Sequence, residues 1–530
     1  MTSPVAAQPP SALAPLKLAA FRALWIAALV SNIGSWMQTV GAQWFLVESD
    51  ASPVLIALVQ SASAAPILLL GIPAGVLGEF VNRRTLLIWV QAAQVVIGLL
   101  LTVLTATGAM TPALLLSLTF PLGAASAVQL PAYQAIVPDI VPREFIPSAA
   151  GLSSISVNLA RAIGPAIAGV IIAGLGVPFV FALNAASFTF FLLVLVFWRD
   201  YRAPEHSPEP FFDGLRAGLR YVSHAGVVRR ICVRLGLFIV PASALFALLP
   251  LIATDHLGLD SNGYGLLLAA IGVGSICGAF VITPAVQRFG MNGVVIAASA
   301  VFGVGLIATS LAPNLLVALP VLAVVGLAWI GVLATLNGAV QSFLPVWVRT
   351  RGLSVYQIVW FGATAAGSAL AGAAAAVFGV GHTSVVAGAL VVLVAASQLL
   401  WPLLTTSDKG RMPAVLPLTD APLVDALPID EDAATLVLVR YTVPAEKRTD
   451  FLATLRLVKR SRQRTGARQW QVYDDRERPG VIVEAFRLGS WREHLAQHEG
   501  RATQYDEKVQ NAAKAFSTAP VEVEHLIEAL

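Results

Sequence analysis

The chain has 530 residues, of which 57% are hydrophobic and only 12% charged, about half the charged fraction of an ordinary water-soluble domain. So few charges cannot cover the surface of a soluble protein this long, so a single soluble globular protein is excluded. The net charge of +4 also hides a division: residues up to Arg411 hold 18 basic and 12 acidic side chains, and the remaining 119 hold 16 and 18. The two cysteines, Cys232 and Cys277, lie in apolar runs and make no disulfide framework.

Residues 1–17 read as a cytoplasmic N-terminal tail. Met1–Pro15 has no basic stretch ahead of an apolar core, so a cleaved signal peptide is not expected. Crossing about 30 Å of hydrocarbon as a helix takes about 20 apolar residues. Twelve such runs follow, at Leu18–Leu46, Pro53–Leu77, Thr85–Thr107, Pro112–Ile136, Ile146–Gly174, Pro178–Trp198, Val228–Ala253, Tyr264–Thr283, Val294–Leu311, Leu315–Phe343, Leu353–Phe378 and Thr383–Leu404. They form two sets of six, residues 18–198 and 228–404, and predict an all-α polytopic membrane fold. In the connection 199–227, Phe212, Leu215, Leu219 and Val222 recur at helical spacing beside Arg216 and Arg220. That pattern fits an interfacial amphipathic helix, with a plain solvated linker as the alternative. Lys17 and Arg22, Arg83 and Arg84, Arg143, the cluster from Arg199 to Arg234, Arg288, Arg349 and Arg351, and Lys409 with Arg411 fall in alternate connections. Both termini are therefore expected in the cytoplasm.

Internal repetition supports two related halves. Gln134-Ala-Ile-Val-Pro138 recurs as Gln341-Ser-Phe-Leu-Pro345, and Gly151-Leu-Ser153 as Gly352-Leu-Ser354. The segment Gly75-Val-Leu-Gly-Glu79-Phe-Val-Asn82-Arg83-Arg84 is similar to the cytoplasmic loop signature of the major facilitator superfamily. Phe80 and Asn82 depart from it, Asn82 standing where Gly is usual, although Asn tolerates the left-handed conformation. The run from Gly151 through Arg161 and Gly164-Pro165 to Gly169 partly matches the superfamily's antiporter motif. Over roughly residues 16–404 the chain resembles the enterobactin-exporter-like, or transmembrane secretion effector, branch of that superfamily. The resemblance implies two pseudo-symmetric six-helix bundles and a conformational gate at Gly75, Glu79, Arg83, Arg84 and Asp139. The competing reading makes these charges topology signals only.

Arg161 is the one charge that the apolar pattern places deep within a span, about 15 residues from the helix start. Such a group faces either a cavity or, by snorkelling, the cytoplasmic surface. Asn158 lies one turn earlier. No Asp or Glu falls deep in any of the twelve runs, so proton coupling follows from the resemblance and not from the residues. A translocation pathway is expected from Arg161, Asn158, Gly164, Pro165, Trp36, Gln60, Gln94, Tyr133, Asn337, Tyr356 and Trp360, with Trp44 and Asn184 as further lining. Aromatics and scattered amides suit amphipathic ligands, and interface anchoring is the competing explanation for each Trp.

Residues 405–433 form a proline-bearing linker, and 434–530 change periodicity. A strand at Thr435–Val443, a helix opened by Pro444 and closed at Gly466, a hairpin about Arg478-Pro479-Gly480, a second helix capped by Ser490-Trp-Arg-Glu493 and a strand at Val521–Leu526 give βαββαβ, a ferredoxin-like order. This tail resembles antibiotic-biosynthesis-monooxygenase domains, which pair as α+β barrels, so dimerisation or small-ligand binding is its expected role. His494 and His498 share a helix face but lack a third ligand, so no metal is expected, nor any cofactor. The basic stretch Lys459–Arg468 reads as solvated surface and not as a nucleic-acid site. No GxxxxGK[ST] segment is present to bind ATP. The expectation is a secondary transporter in the inner membrane that exports a small amphipathic molecule, a drug, siderophore or secondary metabolite, with no catalytic residues. The alternative is a membrane-anchored, monooxygenase-like enzyme or ligand sensor acting through the tail.

Overall fold

The structure is a computed structural model that describes residues 13–198, 220–345, 348–404 and 432–529. Residues 405–431 of the linker expected at 405–433, and most of the expected amphipathic segment, up to residue 219, lie outside the described residues. So do the side chains of residues 71–80 and of Asn158. Of the amphipathic segment, residues 220–224 are helical, with Tyr221 and Val222 buried.

Among the described residues ten helices are long and apolar enough to cross a membrane. Among them are α2 (Pro53–Phe80), α3 (Arg83–Ala106), α4 (Pro112–Ile140), α5 (Ile146–Leu175), α6 (Val177–Phe197) and α7 (Gly226–Leu251). Ser261–Ser310 has 50 residues, about 75 Å of helix, more than twice a bilayer core. It bends at Gly290 (φ 70), so it makes two crossings, α8 (261–289) and α9 (291–310). The sequence led us to expect a loop around Arg288. The helix instead continues to Phe289, and a left-handed glycine alone reverses the chain. Then follow α10 (Leu315–Phe343), α11 (Arg349–Phe378) and α12 (Val380–Leu400). The twelfth crossing is α1 (Ala19–Glu48). It is the least apolar because Asn32, Ser35, Gln38, Thr39 and Gln43 interrupt it.

The two halves match in their last three helices. α4 and α10 both have 29 residues, α5 and α11 both 30, and α6 and α12 both 21. Gly176 and Gly379, both at φ 82, turn the corresponding α5–α6 and α11–α12 corners. Glycines also set the close helix contacts, since between apolar helices in lipid it is backbone approach that packs. A Cβ on Gly164 would lie 2.8 Å from that of Trp36 on α1. One on Gly169 would lie 2.7 Å from the Ser261 carbonyl oxygen, and one on Gly272 would strike the Ala162 backbone. On α8, Gly274 and Gly278 bring the helix against Ala323 and Leu327 of α10, as their spacing predicts.

In the tail, β1 (Thr435–Thr442), α13 (Arg448–Thr465), β2 (Gln469–Asp474), β3 (Val481–Leu488), α14 (Trp491–Ala496), α15 (Gln504–Lys514) and β4 (Glu522–Ile527) follow in order. The antiparallel sheet runs β2-β3-β1-β4, the ferredoxin-like arrangement. Val437, Tyr441, Phe451, Leu455, Val458, Ile482 and Phe486 form its core. The single second helix expected from the sequence is divided, because a π-helical turn at Gln497–Arg501 separates α14 from α15. Pro444 precedes a short 3-10 turn at Ala445–Lys447 and does not open α13 directly.

Candidate functional site

The two bundles meet at the end of α1. The Tyr264 hydroxyl of α8 donates to Gln43 Oε1 at 2.7 Å, and Gln43 Nε2 donates to the Phe246 carbonyl of α7 at 3.1 Å. Trp44 stacks on Tyr264 with ring centroids 6.0 Å apart, and its indole N–H donates to Glu48 at 2.8 Å. Gln43, Trp44 and Tyr264 are all buried. Elsewhere between the bundles the Ser61 hydroxyl of α2 donates to the Ala365 carbonyl of α11 at 2.7 Å. At this face of the membrane the seam is closed by buried polar groups that are each satisfied, which fixes one geometry where apolar packing alone would tolerate several.

Two helical turns below Gln43, on the same face of α1, lies Trp36. The guanidinium of Arg161 sits over its ring, 5.3 Å from the centroid, within cation–π range. Trp36 and Arg161 are half-buried, as are Asn32, Ser35 and Thr39 on the same stripe of α1. Asn32 donates to Ser156 of α5 at 3.3 Å. Arg161 Nε is out of contact with water and has no hydrogen-bond acceptor. Gly164 is the close-packing point that seats Trp36, and the Pro165 carbonyl faces Gly265 of α8. These two residues therefore position α5 and offer no polar side chain to a ligand.

At the opposite face, Arg83 donates to Asp139 at 2.7 Å and to the Ala135 carbonyl at 3.1 Å. This joins the start of α3 to the end of α4. Arg84 does not join them. It caps the end of α6 instead, donating to the Leu195 and Val196 carbonyls at 2.9 and 3.0 Å. Asn82 is not left-handed (φ −53). It is the N-cap of α3, its side chain accepting from the Arg84 and Thr85 amides at 3.1 and 3.3 Å. The side chains of Glu79 and Gly75 are outside the described residues.

The other expected pathway residues scatter. Gln94 is buried against Ser126 inside the first bundle, and Asn184 binds Gln38 there at 3.3 Å. Tyr133 packs edge-on to Phe191. These three hold α1, α3, α4 and α6 together. Gln60 and Asn337 are half-buried, while Tyr356 is buried edge-on to Trp360, which stacks on Phe361. The sequence reading also missed a second buried arginine. Arg234, counted there with the cytoplasmic cluster, lies inside α7. It donates to the Val394, Ser397 and Trp401 carbonyls and the Ser397 hydroxyl over 2.6–3.2 Å, neutralising the end of α12. Its position eight residues into an apolar helix was the available signal.

In the tail, Glu484 is fully buried and accepts from Trp470 at 2.9 Å, Tyr441 at 3.1 Å and Arg462 at 3.3 Å. His494 is buried between His498 and His525, each ring 4.7 Å away, with Trp491 at 5.2 Å. Val437 pairs with both Phe486 and His525, which puts His525 on the helix-covered side of the sheet. Burial first, then the facing His498, His525 and Arg462, push the His494 pKa down to about 2. Among the described residues no three His, Cys, Asp or Glu side chains are grouped to hold a metal ion. The Arg220 side chain donates to the Gly466 carbonyl at the end of α13, so the segment ahead of α7 touches the tail.

Comparison with known proteins fits this architecture. The chain is 26% identical over 280 residues to the staphyloferrin A transporter of Staphylococcus aureus, covering 52% of this chain and 70% of that one. It is 24% identical over 401 residues to the multidrug efflux pump Tap of Mycolicibacterium fortuitum, covering 73% and 97%. A bacterial homolog of the human lysosomal transporter Spinster, solved inward-facing and unoccupied, shares the fold at TM-score 0.58 and 14% identity, over 73% of this chain and 97% of its own. The POT family transporter PepTSo does so at 0.60 and 11%, over 72% and 97%. The sequence pattern of the transmembrane secretion effectors matches residues 10–529, and the chain belongs to that family of the major facilitator superfamily.

Proposed function

We propose that the chain is a secondary transporter that exports small molecules by alternating access between its two bundles. The observation that carries this reading is the vertical order of the seam. A satisfied polar closure at Gln43, Tyr264 and Phe246 lies about 10 Å above a half-buried guanidinium and indole on the polar stripe of α1. A site beneath a closure that ordinary hydrogen bonds hold is what a two-state carrier requires. The relatives' names, a siderophore transporter and an efflux pump, support a small amphipathic cargo. With both termini cytoplasmic the closed face is the outer one, and Arg83 with Asp139 lies at the inner mouth as a gate contact. The inner membrane is the location proposed. No Asp or Glu falls deep in a span to serve proton antiport. Efflux from a sensitised strain tests the reading: cells expressing the chain should accumulate less of some members of a drug and siderophore panel. Unchanged accumulation of every member sinks it.

A second reading gives the tail a ligand-binding, dimerising or monooxygenase-like role. Its support is the buried imidazole row beside Trp491. Truncation after Arg411 separates the readings, since surviving efflux assigns transport to the helices alone.

A further inference from the structure

We infer that the exported molecule is an organic anion with a flat apolar portion, held by Arg161 as its counter-charge against the face of Trp36. This rests on the exporter reading above and names its substrate class.

The charges of the bundles are few and unevenly placed. No lysine occurs between Lys17 and Lys409, and every Asp and Glu before the tail falls at a helix end or in a connection. Two arginines lie well inside helices, and the structure treats them differently. Arg234 is consumed by four oxygen contacts at the end of α12. Arg161 has one described neighbour of consequence, the Trp36 ring, and its Nε is sealed from water without an acceptor.

A guanidinium stays charged at any physiological pH. A full charge within a bilayer is retained only with a partner or a water-filled cavity. The acids of the bundles lie at helix ends or in connections and none falls deep in a span beside Arg161, so the partner has to arrive and leave. The fork of guanidinium N–H groups matches carboxylate, sulfonate and phosphate oxygens in pairs, and the indole plane beside it suits a flat ring or chain. The described neighbours on α1 add no second charge. α1 offers only the neutral Asn32, Ser35 and Thr39 on this stripe, and α8 meets α5 here through Gly272 and Ala162. Moving such a molecule outward carries negative charge out of an inside-negative cell, which favours export by about 50-fold per charge at 100 mV. A bound proton is then not needed.

The test uses the full-length protein and three probes that share one ring system: 2-naphthoate, 2-naphthalenemethanol and 2-naphthylmethylammonium. Binding is read by tryptophan quenching, and flux in liposomes of phosphatidylethanolamine and phosphatidylglycerol under potentials set with potassium and valinomycin. The anion should bind about tenfold or more tighter than the alcohol, and its outward flux should rise with the imposed potential. Arg161→Gln should abolish the preference of the anion over the alcohol, and Arg161→Lys should keep a reduced preference. Equal binding of the three probes, preference for the ammonium, binding of none, or a preference that survives Arg161→Gln overturns the inference. If Arg161→Gln does not fold, the wild-type ranking and Arg161→Lys still decide. Transport of the neutral or cationic probe without charge preference removes the anion assignment and leaves the exporter reading standing. Absence of efflux for every compound in cells removes the exporter reading itself.

Discussion

Tyr264 and Gln43 stand 221 residues apart in the chain and share a 2.7 Å hydrogen bond where the two bundles meet. Removing the hydroxyl in Tyr264→Phe keeps the ring stacked on Trp44 and leaves the buried Gln43 carbonyl without its donor. That costs about 1–3 kcal/mol, a shift of about 5- to 150-fold toward the state in which this seam is open. In a cysteine-free background, Thr39→Cys should be labelled from the outside faster when Tyr264→Phe is added. Identical labelling rates would show that the hydrogen bond does not hold the seam.

Arg83 and Asp139 form the contact proposed as an inner gate. Both are largely covered, so their attraction is screened less than that of a surface pair. Asp139→Asn should lower the initial efflux rate by about tenfold, corresponding to about 1.4 kcal/mol, with normal membrane insertion. If these charges only set topology, the rate will not change.

Gly272 has no space for a side chain, because a Cβ there would strike the Ala162 backbone. Gly272→Ala should separate α5 from α8 and cost about 1–3 kcal/mol, seen as a lower melting temperature of the purified protein. Gly258, whose surroundings are open but whose φ is +61, lies outside this seam. Gly258→Asn should be nearly neutral, since Asn tolerates that conformation. Equal losses at both positions would refute the packing argument.

The buried His494 ring makes the tail sensitive to acid. Its folded pKa, lowered mainly by burial to about 2, lies below the ordinary value of about 6.5, so the unfolded chain binds a proton that the folded one refuses. Stability is therefore full above about pH 6.5 and falls by up to about 1.4 kcal/mol per pH unit as the pH drops toward 2. His494→Phe should flatten the decline of the tail's melting temperature between pH 6.5 and 5. An unchanged slope would place the acid sensitivity elsewhere.

How much of this was legible follows from the range of the forces involved. Apolar run length and the placement of arginines are local properties, and they sufficed for the crossings and for the superfamily. Alternating apolar residues and the Gly466 and Gly480 turns gave the tail its strand and helix order. Gly290 escaped notice because a left-handed glycine can end a helix without any polar loop. Arg83 was paired with Asp139 from its motif. Arg84, adjacent to it, points a helical step of about 100° away, and only the position of α6 decided that it would cap that helix.

By itself, then, the sequence determined the solvent of each part of the chain, because hydrophobicity and charge act residue by residue. The tertiary structure decided which polar groups inside the membrane are spent and which remain available. Gln94, Tyr133, Asn184 and Arg234 are consumed by their own bundles, whereas Arg161 meets only an aromatic face across 125 residues of chain. His525 likewise joins His494 through sheet pairing that no local pattern encodes. The physical reason is common to both: satisfying a buried polar group depends on atoms about 3 Å away in space, and that proximity exists only after the helices and strands have packed.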